Sequence, residues 1–290
     1  MKFLTKIKFP KVFLLLLAVT AFVGVAVDYE TSGVLAQEAQ PSLVRIEKES
    51  EWKKSLGEMV PYEEFAPYGS EDNDLIGAEY KYYSGFGGQF EVGVWESLPG
   101  TTIVKDLNYE ELIYILEGSM TAIDHEGNIQ NYGPGEGLVM PKDWAGTHTV
   151  NEDGIRAIFA AYKLDPKADA NSEMVRLDRE TLAGERFGEF QPFDPDVSYI
   201  MARDHEFYKS KDGKYSVGVW EVQPGQVHFV DFNYAELHYL LQGEIVMTSS
   251  DGSSQTYTAG EGVVIPKGWN GTAMVSESGA RMIWNWYLHE

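Results

Sequence analysis

Residues 108–118 read Asn-Tyr-Glu-Glu-Leu-Ile-Tyr-Ile-Leu-Glu-Gly, and residues 233–243 read Asn-Tyr-Ala-Glu-Leu-His-Tyr-Leu-Leu-Gln-Gly. Each copy is a polar turn followed by an apolar run rich in β-formers, closed by a glycine. That order predicts a buried strand. One carboxylate lies inside each run, Glu111 in the first and Glu236 in the second. A carboxylate inside a buried strand is costly unless it is ion-paired, hydrogen-bonded or bound to a metal, so these two residues are the first candidates for chemistry.

The likeness extends outward on both sides. Residues 92–150 align without a gap on residues 217–275, at a constant offset of 125 positions, and about half of the aligned residues are identical. Gly-Val-Trp-Glu stands at 93–96 and 218–221, Pro-Gly at 99–100 and 224–225, Gly-Glu-Gly at 135–137 and 260–262. Each copy closes on a Pro-Lys pair and a Trp, at 141–144 and 266–269. Strands of four to eight residues alternate with Gly, Pro, Asn and Asp turns, which predicts an all-β sandwich or barrel in each copy. A period this long marks a duplicated domain rather than a solenoid. The polar, Pro166-containing stretch 165–171 reads as the linker, giving a first domain over 37–164 and a second over 172–290. Short helices fit near 51–56 and 179–182.

The chain of 290 residues carries a formal net charge of −22 and no cysteine. So acidic a surface repels phosphate backbones and anionic lipid, which argues against nucleic acid as a partner. Disulfides, zinc thiolates and Cys nucleophiles are excluded. Lys2, Lys6, Lys8 and Lys11 precede an apolar run over 12–27, and Val34-Leu35-Ala36 then offers small residues at a cleavage site. This is the order of a signal peptide over 1–36, with a mature chain from Gln37 that is secreted or periplasmic and keeps no stable membrane association. The run is short for a membrane span.

The order of motifs resembles the cupin superfamily. Gly100, Glu111 and Gly118 fit the first cupin motif, and Gly135 and Pro141 the second; Gly225, Glu236, Gly243, Gly260, Pro266 and Gly268 repeat the match. Within that superfamily the chain resembles the ureidoglycine-aminohydrolase-type subgroup, through Gly-Val-Trp-Glu, Asp106 with Gly146 and Thr147, and Asp231 with Trp269, Gly271 and Thr272. The resemblance implies two tandem cupin barrels, double-stranded β-helices of jelly-roll type. It also implies a metal-dependent hydrolase, lyase or isomerase of a small polar metabolite. The chain departs from the family pattern at the metal: both His of the first motif are missing from each copy, and Gly146 and Gly271 replace the last His of the second.

What remains is a smaller set. Alternation puts Glu236 and His238 on one strand face, and these are the candidate catalytic pair. Glu111 with His148 and Asp106, and Glu236 with His238, His228 and Asp231, are the candidate metal ligands. Such donors suit Mn, Fe, Zn or Ni. Trp144, Trp269 and Tyr239 are candidates for a substrate pocket. Lys142 and Lys267 follow the motif prolines at a barrel mouth, where solvated lysines are expected and binding of an anionic substrate is the alternative. The alternative is a non-catalytic protein that binds a carbohydrate or small molecule on degenerate sites. A homodimer is compatible with either reading.

Overall fold

The computed structural model describes residues 41–61, 70–71, 73–171, 173–193 and 200–289; the signal segment expected over 1–36 lies outside them. Nineteen strands follow one another among the described residues: β1 (Val44–Ile46), β2 (Val60–Pro61), β3 (Ser70–Glu71), β4 (Ile76–Gly85), β5 (Phe90–Ser97), β6 (Gly100–Val104), β7 (Glu110–Asp124), β8 (Ile129–Tyr132), β9 (Gly137–Met140), β10 (Gly146–Tyr162), β11 (Val175–Leu177), β12 (Gln191–Pro192), β13 (Met201–Lys209), β14 (Tyr215–Val222), β15 (Gly225–Phe229), β16 (Ala235–Ser249), β17 (Ser254–Thr258), β18 (Gly262–Ile265) and β19 (Gly271–Tyr287). Among the described residues helix is confined to 3-10 turns and one short α-helix, Arg179–Leu182, whose N-cap Asp178 accepts from the Thr181 N–H. Both short helices fall where the sequence placed them.

All pairings are antiparallel and form two barrel sheets. One runs β11-β9-β7-β10-β5-β4-β2 with β3, β6 and β8 attached, the other β1-β18-β16-β19-β14-β13-β12 with β15 and β17 attached. The quoted stretches are β7 and β16, each central in its sheet. Gly118 and Gly243 let these long strands turn from one wall of the barrel to the next. Both have positive φ (73° and 84°), and a Cβ at either would meet the Gly154 or Gly279 carbonyl oxygen near 2 Å, at 1.9 and 2.0 Å. No other residue type fits there.

The sheets exchange their edges. β1 pairs with β18 of the second barrel, and β11 with β9 of the first. A cut at the proposed linker, 165–171, would therefore remove one strand from each sheet.

Alternation along β7 sends Glu111, Ile113 and Ile115 into the first barrel, and Leu112 and Tyr114 out of it. The outward residues join Leu237, Tyr239, Tyr215 and Ile283 in a core shared by both barrels. Separate cores fill each interior, around Ile113, Phe159 and Trp95 in the first and around Leu240, Met282 and Trp269 in the second. Hydrogen bonds cross between the barrels. The Tyr215 hydroxyl donates to the Ala160 carbonyl (2.9 Å) and accepts from the Leu112 N–H (3.1 Å), and Tyr162 donates to Asp212 (2.7 Å).

Candidate functional site

The first barrel has a cavity of about 450 Å³ at the end where β7 begins. Glu111 lies in its wall with Tyr109, Phe159 and Ala161, and Lys81, Lys142 and Lys163 line it together with Glu79, Glu91, Asp106 and Asp143. Glu111 is placed by register: it stands opposite Ala161 on β10 and Met140 on β9, so a small and an unbranched neighbour leave room above it. Burial lifts its carboxyl to about 8, the charge of Glu79 adds to the rise, and Lys81 opposes it. The group is thus largely neutral at pH 7, in the range where a carboxyl both donates and accepts protons.

The charges around it are arranged as a chain. Lys81 bridges Glu79 (3.4 Å) and Glu91 (3.1 Å), and Lys163 reaches Glu91 (3.3 Å). Burial alone would raise Glu91, but the hydrogen bond and charge of Lys81, with Lys163, hold it below the usual carboxylate range. Glu79 is pushed up by burial in spite of Lys81. Lys142, expected to be solvated, is buried instead, with its ammonium on both oxygens of Asp143 at 2.7 and 2.8 Å. Sequence reasoning missed Lys81, Lys163 and Glu79 altogether, because nothing in the spacing of β4 and β5 says which pairs face a cavity.

His148 points inward as its parity with Gly146 predicts, yet it does not line this cavity. It lies opposite Thr102, edge-on to Trp95 at 5.7 Å, with Nε2 lacking a hydrogen-bond partner among the described residues. Burial lowers it to about 4, so it is neutral at physiological pH.

The second barrel presents the other half of the expectation. Glu236 and His238 do share a face, with Oε1 and Nε2 3.3 Å apart, and Trp220 packs on the imidazole at 5.6 Å. Trp220 is the repeat partner of Trp95, so each barrel sets a His against the same tryptophan from a different strand. Tryptophans take the positions that face this pair. Trp284 and Trp286 stand where the first barrel has Phe159 and Ala161, and Trp286 lies directly opposite Glu236. Lys81 and Lys163 become Glu206 and Leu288.

Several expected ligands and pocket residues lie elsewhere, which corrects the set. His228 and Asp231 are exposed: Val227 takes the inward position of β15, which turns its neighbour His228 out, and Asp231 sits in a left-handed turn (φ 50°). Tyr239 faces the other barrel, with its ring 5.7 Å from Tyr114, because it is one residue out of phase with Glu236 and His238. Trp269 is buried in the second core and donates to the Ser249 hydroxyl (3.1 Å); Trp144 is buried in the first core, beside the cavity wall but not in it. Asp106 does line the cavity, from its exposed rim. Among the described residues no three His, Asp or Glu side chains gather as a metal-binding group. Glu236 and His238 offer two donors where a four-ligand cupin centre needs more, so the residues present do not fit such a centre.

Paired barrels of this topology, with an inward Glu separated by six residues from a bend glycine, define a two-barrel cupin protein. The chain belongs to the EutQ-like cupin domain family, whose model matches it twice, over residues 84–159 and 209–282. Among solved structures it is similar to a protein of unknown function of the DUF861 family from Pseudomonas syringae pv. tomato (TM-score 0.66, 18% identity, covering 85% of this chain and 100% of that one). It is also similar to a cupin 2 conserved barrel domain protein from Leptotrichia buccalis (TM-score 0.53, 11% identity, 81% and 97% covered) and to protein Ylba of DUF861 from E. coli (TM-score 0.51, 13% identity, 76% and 84% covered). At these identities the likeness establishes the fold. None of the curated proteins matches the chain.

Proposed function

We propose that this is an exported two-barrel cupin whose first barrel binds a small polar metabolite and acts on it by proton transfer through Glu111, in a hydrolase-, lyase- or isomerase-type reaction. The observation that carries the reading is the position of Glu111: a buried carboxyl held near 8, in the wall of a cavity large enough for a small metabolite. General acids and bases work best when they titrate near the operating pH. Glu236 faces Trp286, where Glu111 faces Ala161. The basic and apolar order of residues 1–36 supports export, and the subgroup-like motifs support a hydrolase-type reaction. A second reading, a binding protein without turnover, is favoured by the incomplete donor set around both glutamates.

The test is a metabolite screen by NMR on the full mature chain, with Glu111→Gln and Glu236→Gln beside the wild type. Loss of turnover in Glu111→Gln, with Glu236→Gln unaffected, is expected. Binding of a metabolite without consumption selects the second reading. An effect confined to Glu236→Gln overturns the assignment to the first barrel.

A further inference from the structure

We propose that Lys142, positioned by Asp143, is the group with which the first cavity recognises an anionic end of its ligand, a carboxylate of a small metabolite. The inference rests on the reading of the first barrel as the functional one and adds the ligand's class.

Lysine is among the residues least often buried, yet Lys142 is 5% exposed and lines the cavity. Its ammonium contacts both Asp143 oxygens and, at 3.3 Å, the Ala168 carbonyl of the chain between the two repeats. Holding it there has a backbone cost. Asp143 has φ 66°, in the left-handed region, where the second copy has Gly268 at φ 85°. A non-glycine residue in that region is strained and persists where its side chain is needed. The second copy shows the arrangement without the aspartate: Lys267 is exposed, and its ammonium turns away to the His289 carbonyl at 2.6 Å. At this turn the left-handed non-glycine residue stands only in the copy whose lysine lines the cavity.

Lys142 differs from the other cations of the cavity in the exposure of its carboxylate partner. Lys81 and Lys163 are committed to Glu79 and Glu91 inside the cavity wall. The partner of Lys142 is different, since the Asp143 side chain is 56% exposed and its charge is well hydrated. A ligand carboxylate entering the cavity would share the ammonium with that carboxylate. The neutral Glu111 carboxyl does not repel an anion and can donate a hydrogen bond to it. The second barrel keeps Lys267 and Glu236 at the equivalent positions but has Gly268 for Asp143, Glu206 for Lys81, Leu288 for Lys163 and Trp286 for Ala161.

The experiment uses the full mature chain at pH 6.5. Acetate, pyruvate and malonate serve as carboxylate probes and ethylamine as the cationic control, read by ligand-observed NMR and thermal shift. Lys142→Met should weaken the carboxylate probes by about tenfold or more, as expected for loss of a charge-assisted contact, and Lys142→Arg should restore part of the affinity. Asp143→Gly, which leaves at this turn the residue that the second copy uses, should weaken the probes while the chain still folds. A purely structural clamp would instead lose stability with no change in binding. If Lys142→Met does not fold, Asp143→Gly decides, because glycine is the residue at that turn in the second copy. Carboxylate affinity unchanged in Lys142→Met or in Asp143→Gly overturns the proposal. Binding of ethylamine in preference, still abolished by Ala161→Trp, also overturns it but leaves the first-barrel reading standing. Probe binding indifferent to Ala161→Trp removes both.

Discussion

Replacing Glu111 by Gln should make the protein more stable as the pH rises, relative to the wild type. Below the ordinary carboxyl value of 4.5, folded and unfolded chains both keep the Glu111 proton, so it contributes nothing to pH dependence. Between 4.5 and about 8 the unfolded chain ionises while the folded chain holds the proton. Wild-type stability then falls with rising pH, by up to about 1.4 kcal/mol per pH unit from this group. Above about 8 the loss is complete, on the order of 3–5 kcal/mol, the lower end allowing for water that enters the cavity. Gln keeps the shape of the protonated acid and has nothing to ionise. Equilibrium unfolding in urea at pH 5, 7 and 9 measures the difference between variant and wild type, in which the other carboxylates largely cancel. The difference should be within about 1 kcal/mol at pH 5 and should grow through pH 7 to pH 9 in favour of the variant. A difference that stays flat from pH 5 to pH 9 refutes a buried, proton-holding Glu111.

Three further outcomes follow from the geometry. Gly118→Ala should cost more than about 3 kcal/mol in chemical denaturation, since the added Cβ meets the Gly154 carbonyl and the backbone has positive φ; an effect below about 1 kcal/mol would show that the bend is not needed. Fragments 37–164 and 165–290 expressed singly should lack cooperative unfolding and should recover it when co-expressed, because β1 and β11 each complete the other fragment's sheet; a singly folded 37–164 would contradict this. Elemental analysis for Mn, Fe, Zn and Ni should give well under one ion per chain (about 0.1 or less), with His238→Ala indistinguishable from the wild type, because a two-donor site binds such ions weakly; stoichiometric metal lost in His238→Ala would restore the second barrel as a metal centre.

The sequence by itself determined the duplication, the all-β class and the inward glutamates. Those features are written in local chemistry: period-two alternation, turn glycines at fixed offsets, and a carboxylate that interrupts an apolar run. The pairing of Glu236 with His238 was legible for the same reason, since two residues of one strand share a face whatever surrounds them. What faces each glutamate was not legible. Ala161 against Trp286 is one difference among many in an alignment, and it matters only because β10 and β19 set these residues opposite Glu111 and Glu236. The cavity charges come from β4, β5 and the ends of β9 and β10, far apart in sequence, so Lys81, Lys163 and Glu79 carried no motif. A Pro-Lys turn is usually solvated; the burial of Lys142 goes with its contacts to Asp143 and to the chain at Ala168. His228, Asp231 and Tyr239 are near the Glu236–His238 pair along the chain, and strand phase and a turn separate them from it. Even the edge strands β1 and β11 changed barrels, because antiparallel edges pair with whatever edge the packed core brings alongside.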